Sequence, residues 1–123
     1  MSTAPRNAAI WFEIPVPDLK RSKAFFGAVL ATELKDEHED TVPVAVFPAA
    51  GPGSVTGHLI VGKPAPLGTG PTIHLVAPKP LEDALDRVRE NGGTVVGGIV
   101  TIPPGRYAYC RDPDGNTFGL FTT

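Results

Sequence analysis

The sequence has a single cysteine, Cys110, and no long apolar run among its 123 residues. One cysteine cannot form a disulfide within the chain, nor can it supply the paired thiolates of a cysteine-based zinc site. A reducing compartment is therefore expected. Because no apolar segment is long enough to span a membrane and residues 1–9 lack the apolar core of a secretory signal, we expect a cytoplasmic protein with no membrane partner.

An excess of positive charge is also missing. Eleven Lys and Arg residues stand against 13 Asp and Glu residues, which gives a net charge of -2. A protein that binds nucleic acid normally carries basic residues in excess to neutralise phosphates, so nucleic acid is not expected as a partner. Hydrophobic residues at 41% and charged residues at 20% are typical of a folded globular chain. A single domain over residues 1–123 is predicted.

The whole chain contains 14 glycines and 14 prolines, which separate short apolar segments. Periodicity and turn residues predict a strand at 9–16, a helix at 18–30 and strands at 32–37, 42–47 and 56–61. Asp18 stands where a side chain can cap the start of the helix. Four acidic residues surround His38, and they are interpreted as a solvated hairpin turn: Asp36, Glu37, Glu39 and Asp40.

The second half repeats this order of elements. A strand is predicted at 72–77, a helix from 81 to the Asn91-Gly92-Gly93 end, and strands at 94–101, 106–111 and 117–122. A shift of about 61 residues places the strand positions of one half on those of the other, with His58 on Gly119. The sequence therefore predicts an α+β fold of two βαβββ modules, approximately residues 8–62 and 71–123.

Three segments carry a resemblance to a known family. They are FEIPVPDL at 12–19, the helix end ENGG at 90–93 and the turn DPDGN at 112–116. In order and spacing, over nearly the whole chain, they resemble glyoxalase-like members of the glyoxalase/bleomycin resistance/dioxygenase superfamily, also called vicinal oxygen chelate proteins. The resemblance implies that the two modules form a curled mixed sheet around a central cup, and it implies a homodimer.

The same resemblance implies four metal-ligand positions, on the first and last strands of each module. Carried onto this chain, these positions fall at Trp11, His58, Thr72 and Gly119. Metal-using members hold His, Gln or Glu there, whereas an indole cannot coordinate, a glycine has no side chain and a threonine hydroxyl is a poor ligand. The usual metal cofactor is therefore not expected, which argues against glyoxalase I chemistry and extradiol ring cleavage.

Two functional hypotheses remain open at this point. In the first, the cup binds a small hydrophobic or aromatic molecule without a cofactor, as the resemblance to bleomycin-resistance proteins implies. In the second, a lyase, isomerase or dioxygenase-type enzyme holds a divalent metal ion through a rearranged set, His58, His74 and Glu13, whose imidazoles and carboxylate are suitable ligands. The candidate ligand-binding residues are Trp11, Glu13, His58, Thr72, His74, Tyr107 and Tyr109.

The strand at 106–111 carries the last of these candidates. By alternation, Tyr107, Tyr109 and Arg111 share one face, a set that can orient a phenolate or a carboxylate. Cys110 lies on the opposite face, where a packed rather than a reactive thiol is expected.

Overall fold

The computed structural model describes residues 3–123, which form eight strands and two helices. The first module contains β1 (Trp11–Val16), α1 (Leu19–Val29), β2 (Lys35–Glu39), β3 (Val42–Val46) and β4 (Thr56–Val61). The second contains β5 (Ile73–Val76), α2 (Leu81–Glu90), β6 (Thr94–Ile102), β7 (Gly105–Arg111) and β8 (Thr117–Thr122). The predicted βαβββ order is confirmed in both halves.

Local sequence explains where each helix begins and ends. The Asp18 side chain accepts a hydrogen bond from the backbone N–H of Arg21 at 3.1 Å, which satisfies a free donor at the start of α1, as predicted. In α2, Glu82 and Asp83 place negative charge in the first turn, where it complements the helix dipole. Gly92, with φ 91°, takes the left-handed conformation that ends α2.

The strands form two mixed four-stranded sheets, in the orders β1-β4-β3-β2 and β5-β8-β7-β6. Within each sheet the first strand of the module pairs in parallel with the last, β1 with β4 and β5 with β8, and the other pairs are antiparallel. No ladder joins the two sheets among the described residues, so the eight strands are not closed into one sheet. The predicted α+β class with two βαβββ modules is confirmed.

One apolar core runs through both modules. Phe26 of α1 packs against Phe47 of the first module and Phe118 of the second, with ring centroids 5.6 and 5.3 Å apart. The Asn116 side chain also donates a hydrogen bond to the backbone oxygen of Pro15 at 2.9 Å, which ties the start of β8 to β1. We call the sheet face that is turned away from this core the open face of each sheet.

The second strand differs from its prediction. Leu34 is buried in the core, and the extended segment starts only after it, at Lys35. The acidic residues that were interpreted as a hairpin turn lie mostly in β2, because Glu39 pairs with Val42 and the turn contains only Asp40 and Thr41. Asp40 has φ 58°, a conformation that Asp tolerates better than most residues. Residues 36–39 are therefore placed by a sheet rather than by a loop.

No helix among residues 3–123 combines the length and the apolar character that a membrane span requires.

Candidate functional site

The open face of the first sheet carries Trp11, Glu13 and His58. Parallel pairing sets Glu13 of β1 directly beside His58 of β4. Strand alternation sends Ile14 and Val16 into the core and leaves Trp11 and Glu13 on the opposite face. The prediction that Trp11 and Glu13 share one face of β1 is therefore confirmed.

His58 is the centre of a hydrogen-bonded group and is only 2% exposed. The Trp11 indole Nε1 donates to His58 Nδ1 at 3.2 Å. On the other side of the ring, Nε2 lies 3.0 Å from Glu13 Oε2 and 3.3 Å from Glu39 Oε2. Because Nδ1 accepts the indole proton, the ring proton of neutral His58 belongs on Nε2, which donates to the carboxylates.

Glu39 reaches His58 because the first sheet curls. Glu39 pairs with Val42 at the end of the β2–β3 hairpin, whereas His58 pairs with Val46, a full strand length further along β3. Only a curled sheet brings the end of the hairpin over His58. The prediction placed Glu39 in solvent, and the sequence holds no short-range signal that would have assigned it to this group.

The four metal-ligand positions implied by the family resemblance do not fit a metal ion. Trp11 uses its N–H to donate to His58, and Thr72 lies just before β5 with a hydroxyl as its one polar side-chain group. Gly119 has no side chain, and the ring of His74 fills the space beside it: a Cβ there would lie 2.7 Å from His74 Cγ. His58 is the one suitable donor of the four.

A different trio has the chemistry of a cation site. Glu13, Glu39 and His58 each offer a ligand atom, and these atoms lie within 4.8 Å of one another. Coordination through His58 Nε2 would require the ring proton to move to Nδ1, where it would face the Trp11 N–H. This trio can therefore hold a divalent ion only if the hydrogen bond from Trp11 to His58 Nδ1 is broken.

The predicted rearranged set is brought together only in part. Glu13 and His58 are neighbours, but His74 lies on β5 in the other sheet, and Glu39 takes the third place.

His74 belongs instead to a ring cluster on the open face of the second sheet. Its ring lies 5.2 Å from that of Tyr107 and 5.7 Å from that of Tyr109, and the two tyrosine rings are 5.5 Å apart. All three contacts are edge-to-face, the arrangement that aromatic pairs prefer. Tyr109 is 40% exposed, so the cluster offers ring surface to a ligand.

The hydroxyl groups of the cluster are linked. A hydrogen bond with Tyr109 raises the pKa of Tyr107, and burial raises it further. Cys110, which follows Tyr109 and points to the core side of the strand, is fully buried as predicted, and burial raises the pKa of its thiol to about 11.

A cleft of about 550 Å³ lies next to His74, between the two modules. Its walls come from Phe12 and Phe47 on one side and from His74, Leu75 and Val76 on the other. This volume is within the range of small-molecule sites, and the lining is mostly apolar.

Comparison with known proteins gives a consistent result. The Glyoxalase/Bleomycin resistance protein/Dioxygenase superfamily model matches residues 9–120. Among solved structures, the chain is similar to a glyoxalase/bleomycin resistance protein from Albidiferax ferrireducens T118, with 24% identity and a TM-score of 0.71, over 95% of this chain and 100% of that one.

Two more distant structures share the fold. A hypothetical protein from S. aureus has 22% identity and a TM-score of 0.67, over 97% of this chain and 96% of that one. A genomically encoded fosfomycin resistance protein from Listeria monocytogenes has 16% identity and a TM-score of 0.64, over 98% and 95%. Among curated proteins, none matches the chain.

Proposed function

The chain belongs to the glyoxalase/bleomycin resistance protein/dioxygenase superfamily, and on that premise we propose that it binds a small hydrophobic or aromatic molecule without using a metal at the family positions. The observation that carries the proposal is the ring cluster of His74, Tyr107 and Tyr109. It lies on an open sheet face and borders a mostly apolar cleft through His74.

The cluster suits ring recognition for a physical reason. Tyrosine and histidine rings present large, stiff surfaces, so a ligand gains contact area at little cost in side-chain entropy. Gly119 contributes by having no side chain, because this lets the His74 ring lie close to β8. Trp11, which is 46% exposed on the other sheet, offers a second apolar surface.

The experiment is a calorimetric titration of metal-free protein with a neutral ring-bearing probe, 1-naphthalenemethanol. We expect saturable one-site binding that Tyr109→Ala weakens about tenfold, since the ring contact is worth roughly 1 kcal/mol or more. Leu67→Ala, which removes an exposed apolar side chain outside the cluster, is the matched control and should leave the affinity unchanged. Absence of saturable binding to the wild-type protein would refute the proposal.

A second candidate function rests on Glu13, Glu39 and His58, whose ligand atoms lie within 4.8 Å of one another. If this trio held a divalent metal ion, the ion would supply Lewis-acid chemistry to a lyase, isomerase or dioxygenase-type reaction. Trp11 is the only tryptophan, and it donates to His58, so its fluorescence reports on this trio. Titration with zinc or manganese should change Trp11 emission with one-to-one stoichiometry if this candidate is right, and His58→Gln should abolish the change.

We also propose that the protein forms a homodimer and that it is located in the cytoplasm. Strand β6 is an edge strand of nine residues without a charge, and Ile99, Val100 and Ile102 are exposed on it. A long uncharged edge of this kind favours pairing with another chain. Sedimentation equilibrium should give twice the chain mass, and Val100→Lys with Ile102→Lys should lower it to one chain.

A further inference from the structure

Among the arginines of the two modules that the structure describes, Arg111 is the one whose side chain forms neither a salt bridge nor a hydrogen bond. Arg87 also lacks a salt bridge and has a buried Nη2 atom without a partner, but its Nε atom donates to the backbone oxygen of Val29 at 3.1 Å. Arg21, Arg89 and Arg106 each form a salt bridge, with Asp114, Asp86 and Glu82 respectively. Arg111 forms no salt bridge with any residue that the structure describes, and its Nε atom is buried without a hydrogen-bond partner. A buried, unpaired guanidinium N–H costs free energy, so its presence calls for an acceptor from elsewhere.

The acidic residue next in the chain does not supply that acceptor. The Asp112 carboxylate receives hydrogen bonds from the backbone N–H groups of Asp114 and Asn116 and from the Asn116 side chain, at 2.8 to 3.0 Å. Both of its oxygens are therefore engaged in holding the 112–116 turn. The strand partners of Arg111 are Thr94 and Thr117, which carry no charge.

Register places Arg111 on the face of the ring cluster. Along β7, Tyr107, Tyr109 and Arg111 alternate with Ala108 and Cys110, both of which are buried in the core. Arg111 is thus two residues beyond Tyr109 on the same face, within one side-chain length of its ring. Tyr109 is 40% exposed, so its hydroxyl is accessible to a ligand on this face.

We propose that the second sheet selects an anionic ring compound, with Arg111 and the Tyr109 hydroxyl binding its carboxylate or comparable oxyanion while the ring contacts His74 and Tyr109. This proposal rests on the proposed binding function and adds the charge of the ligand. A guanidinium presents parallel donors that match a carboxylate, and charge-assisted bonds of this kind are the stronger ones. Arg111 is then the residue that determines specificity for the anion.

The test compares three probes that share one ring system and differ in charge: 1-naphthoate, 1-naphthalenemethanol and 1-naphthylmethylammonium. With metal-free wild-type protein at pH 7, 1-naphthoate should bind about 10- to 100-fold more tightly than the alcohol. The ammonium probe should bind most weakly. Added NaCl should weaken the binding of 1-naphthoate and leave that of the alcohol nearly unchanged.

Variants of two arginines on β7 test whether Arg111 causes the preference for 1-naphthoate. Arg111→Met should reduce the affinity for 1-naphthoate to that for the alcohol, and Arg111→Lys should restore part of the difference. Arg106→Met is the matched control, because it removes the same charge from β7 on the side of Glu82. It should leave the preference for 1-naphthoate intact.

The outcomes separate this proposal from the one on which it rests. If the alcohol binds and 1-naphthoate binds no more tightly, ring binding stands and the anion proposal is overturned. Equal losses in Arg111→Met and Arg106→Met would overturn it as well, since the effect would then come from net charge alone. If none of the three probes binds, the proposed function itself fails. The comparison of the three probes on wild-type protein does not depend on whether Arg111→Met folds.

Discussion

The ring of His74 lies against Gly119, so close that a Cβ atom on residue 119 would come within 2.7 Å of the ring's Cγ. The two residues are direct partners in the parallel pair β5–β8. Position 119 is where the family resemblance implied a metal ligand. In this chain residue 119 has no side chain, and the ring of His74 from the neighbouring strand occupies the space beside it.

Restoring a side chain at position 119 should therefore disturb the ring cluster. Gly119→Ala is expected to push His74 away, weaken binding of ring probes several-fold and cost about 1–3 kcal/mol of stability, as overpacking does. In the double variant Gly119→Ala/His74→Ala, the stability cost of the alanine at 119 should largely disappear, and a double-mutant cycle measured by urea unfolding gives that difference. Gly98→Ala is the control, because no atom lies near a Cβ at that position. If the stability changes of Gly119→Ala and His74→Ala are additive, a Cβ at 119 does not collide with the His74 ring.

The hydrogen bond from Trp11 to His58 should stabilise the fold. Trp11→Phe keeps an aromatic ring but removes the donor to His58 Nδ1, and leaving a buried acceptor unpaired costs about 1–3 kcal/mol. The free energy of unfolding in urea measures this cost. Part of it should vanish when the same change is made together with His58→Leu, because the acceptor is then gone too. If Trp11→Phe has the same cost in both backgrounds, the bond does not contribute.

The same variant tests the relation between Trp11 and metal binding. Since coordination through His58 Nε2 requires a proton on Nδ1, Trp11→Phe should increase affinity for zinc, whereas Glu39→Gln should decrease it. Calorimetric titration with zinc measures both. A decrease in zinc affinity in Trp11→Phe would show that the indole supports metal binding rather than competing with it.

Cys110 should be unreactive in the folded protein. It is fully buried, and burial raises the pKa of its thiol to about 11, so the thiolate is scarce at pH 8. Alkylation with iodoacetamide, followed by mass spectrometry, should be negligible over hours without denaturant and complete in guanidinium chloride. Rapid labelling of the native protein would place the thiol outside the core.

The pair Glu82–Arg106 should make stability depend on pH on the acid side. The bond to Arg106 lowers the pKa of Glu82 from 4.5 to about 2. A lowered carboxyl pKa stabilises the folded state above pH 4.5, and that stabilisation is lost as the pH falls toward 2. Glu82→Gln should therefore have a slightly lower Tm than wild type at pH 7, and the difference should shrink steadily below pH 4.5. A difference that is independent of pH would rule out the charge as its cause.

Local signals explain why much of the fold was predictable. The Asp18 cap and the Gly92 helix end were predicted from local chemistry, and the alternation along β1 correctly placed Trp11 and Glu13 on one face. Strands β4 and β8 have the predicted bounds because polar turns flank them closely. The second module was predicted from its own strand, helix and turn residues, and the shift of about 61 residues then related it to the first.

The site was less predictable because its contacts join distant parts of the chain. Glu39 reaches His58 through the curl of a sheet, and no sequence pattern measures curl. The ring of His74 fills the space beside Gly119, a relationship that depends on the register of β5 against β8. The two tyrosines of β7 were placed correctly because alternation on a single strand is a local property.

Ligand binding by the metal-free protein is the most direct test of the account. The protein is dialysed against EDTA, its metal content is determined by mass spectrometry, and 1-naphthoate is titrated by calorimetry before and after addition of one equivalent of zinc. We predict one-site binding of the same affinity in both states, reduced in Arg111→Met and in Tyr109→Ala. Binding that appears only after zinc has been added, and disappears in His58→Gln, would contradict the account and favour a metal-dependent site.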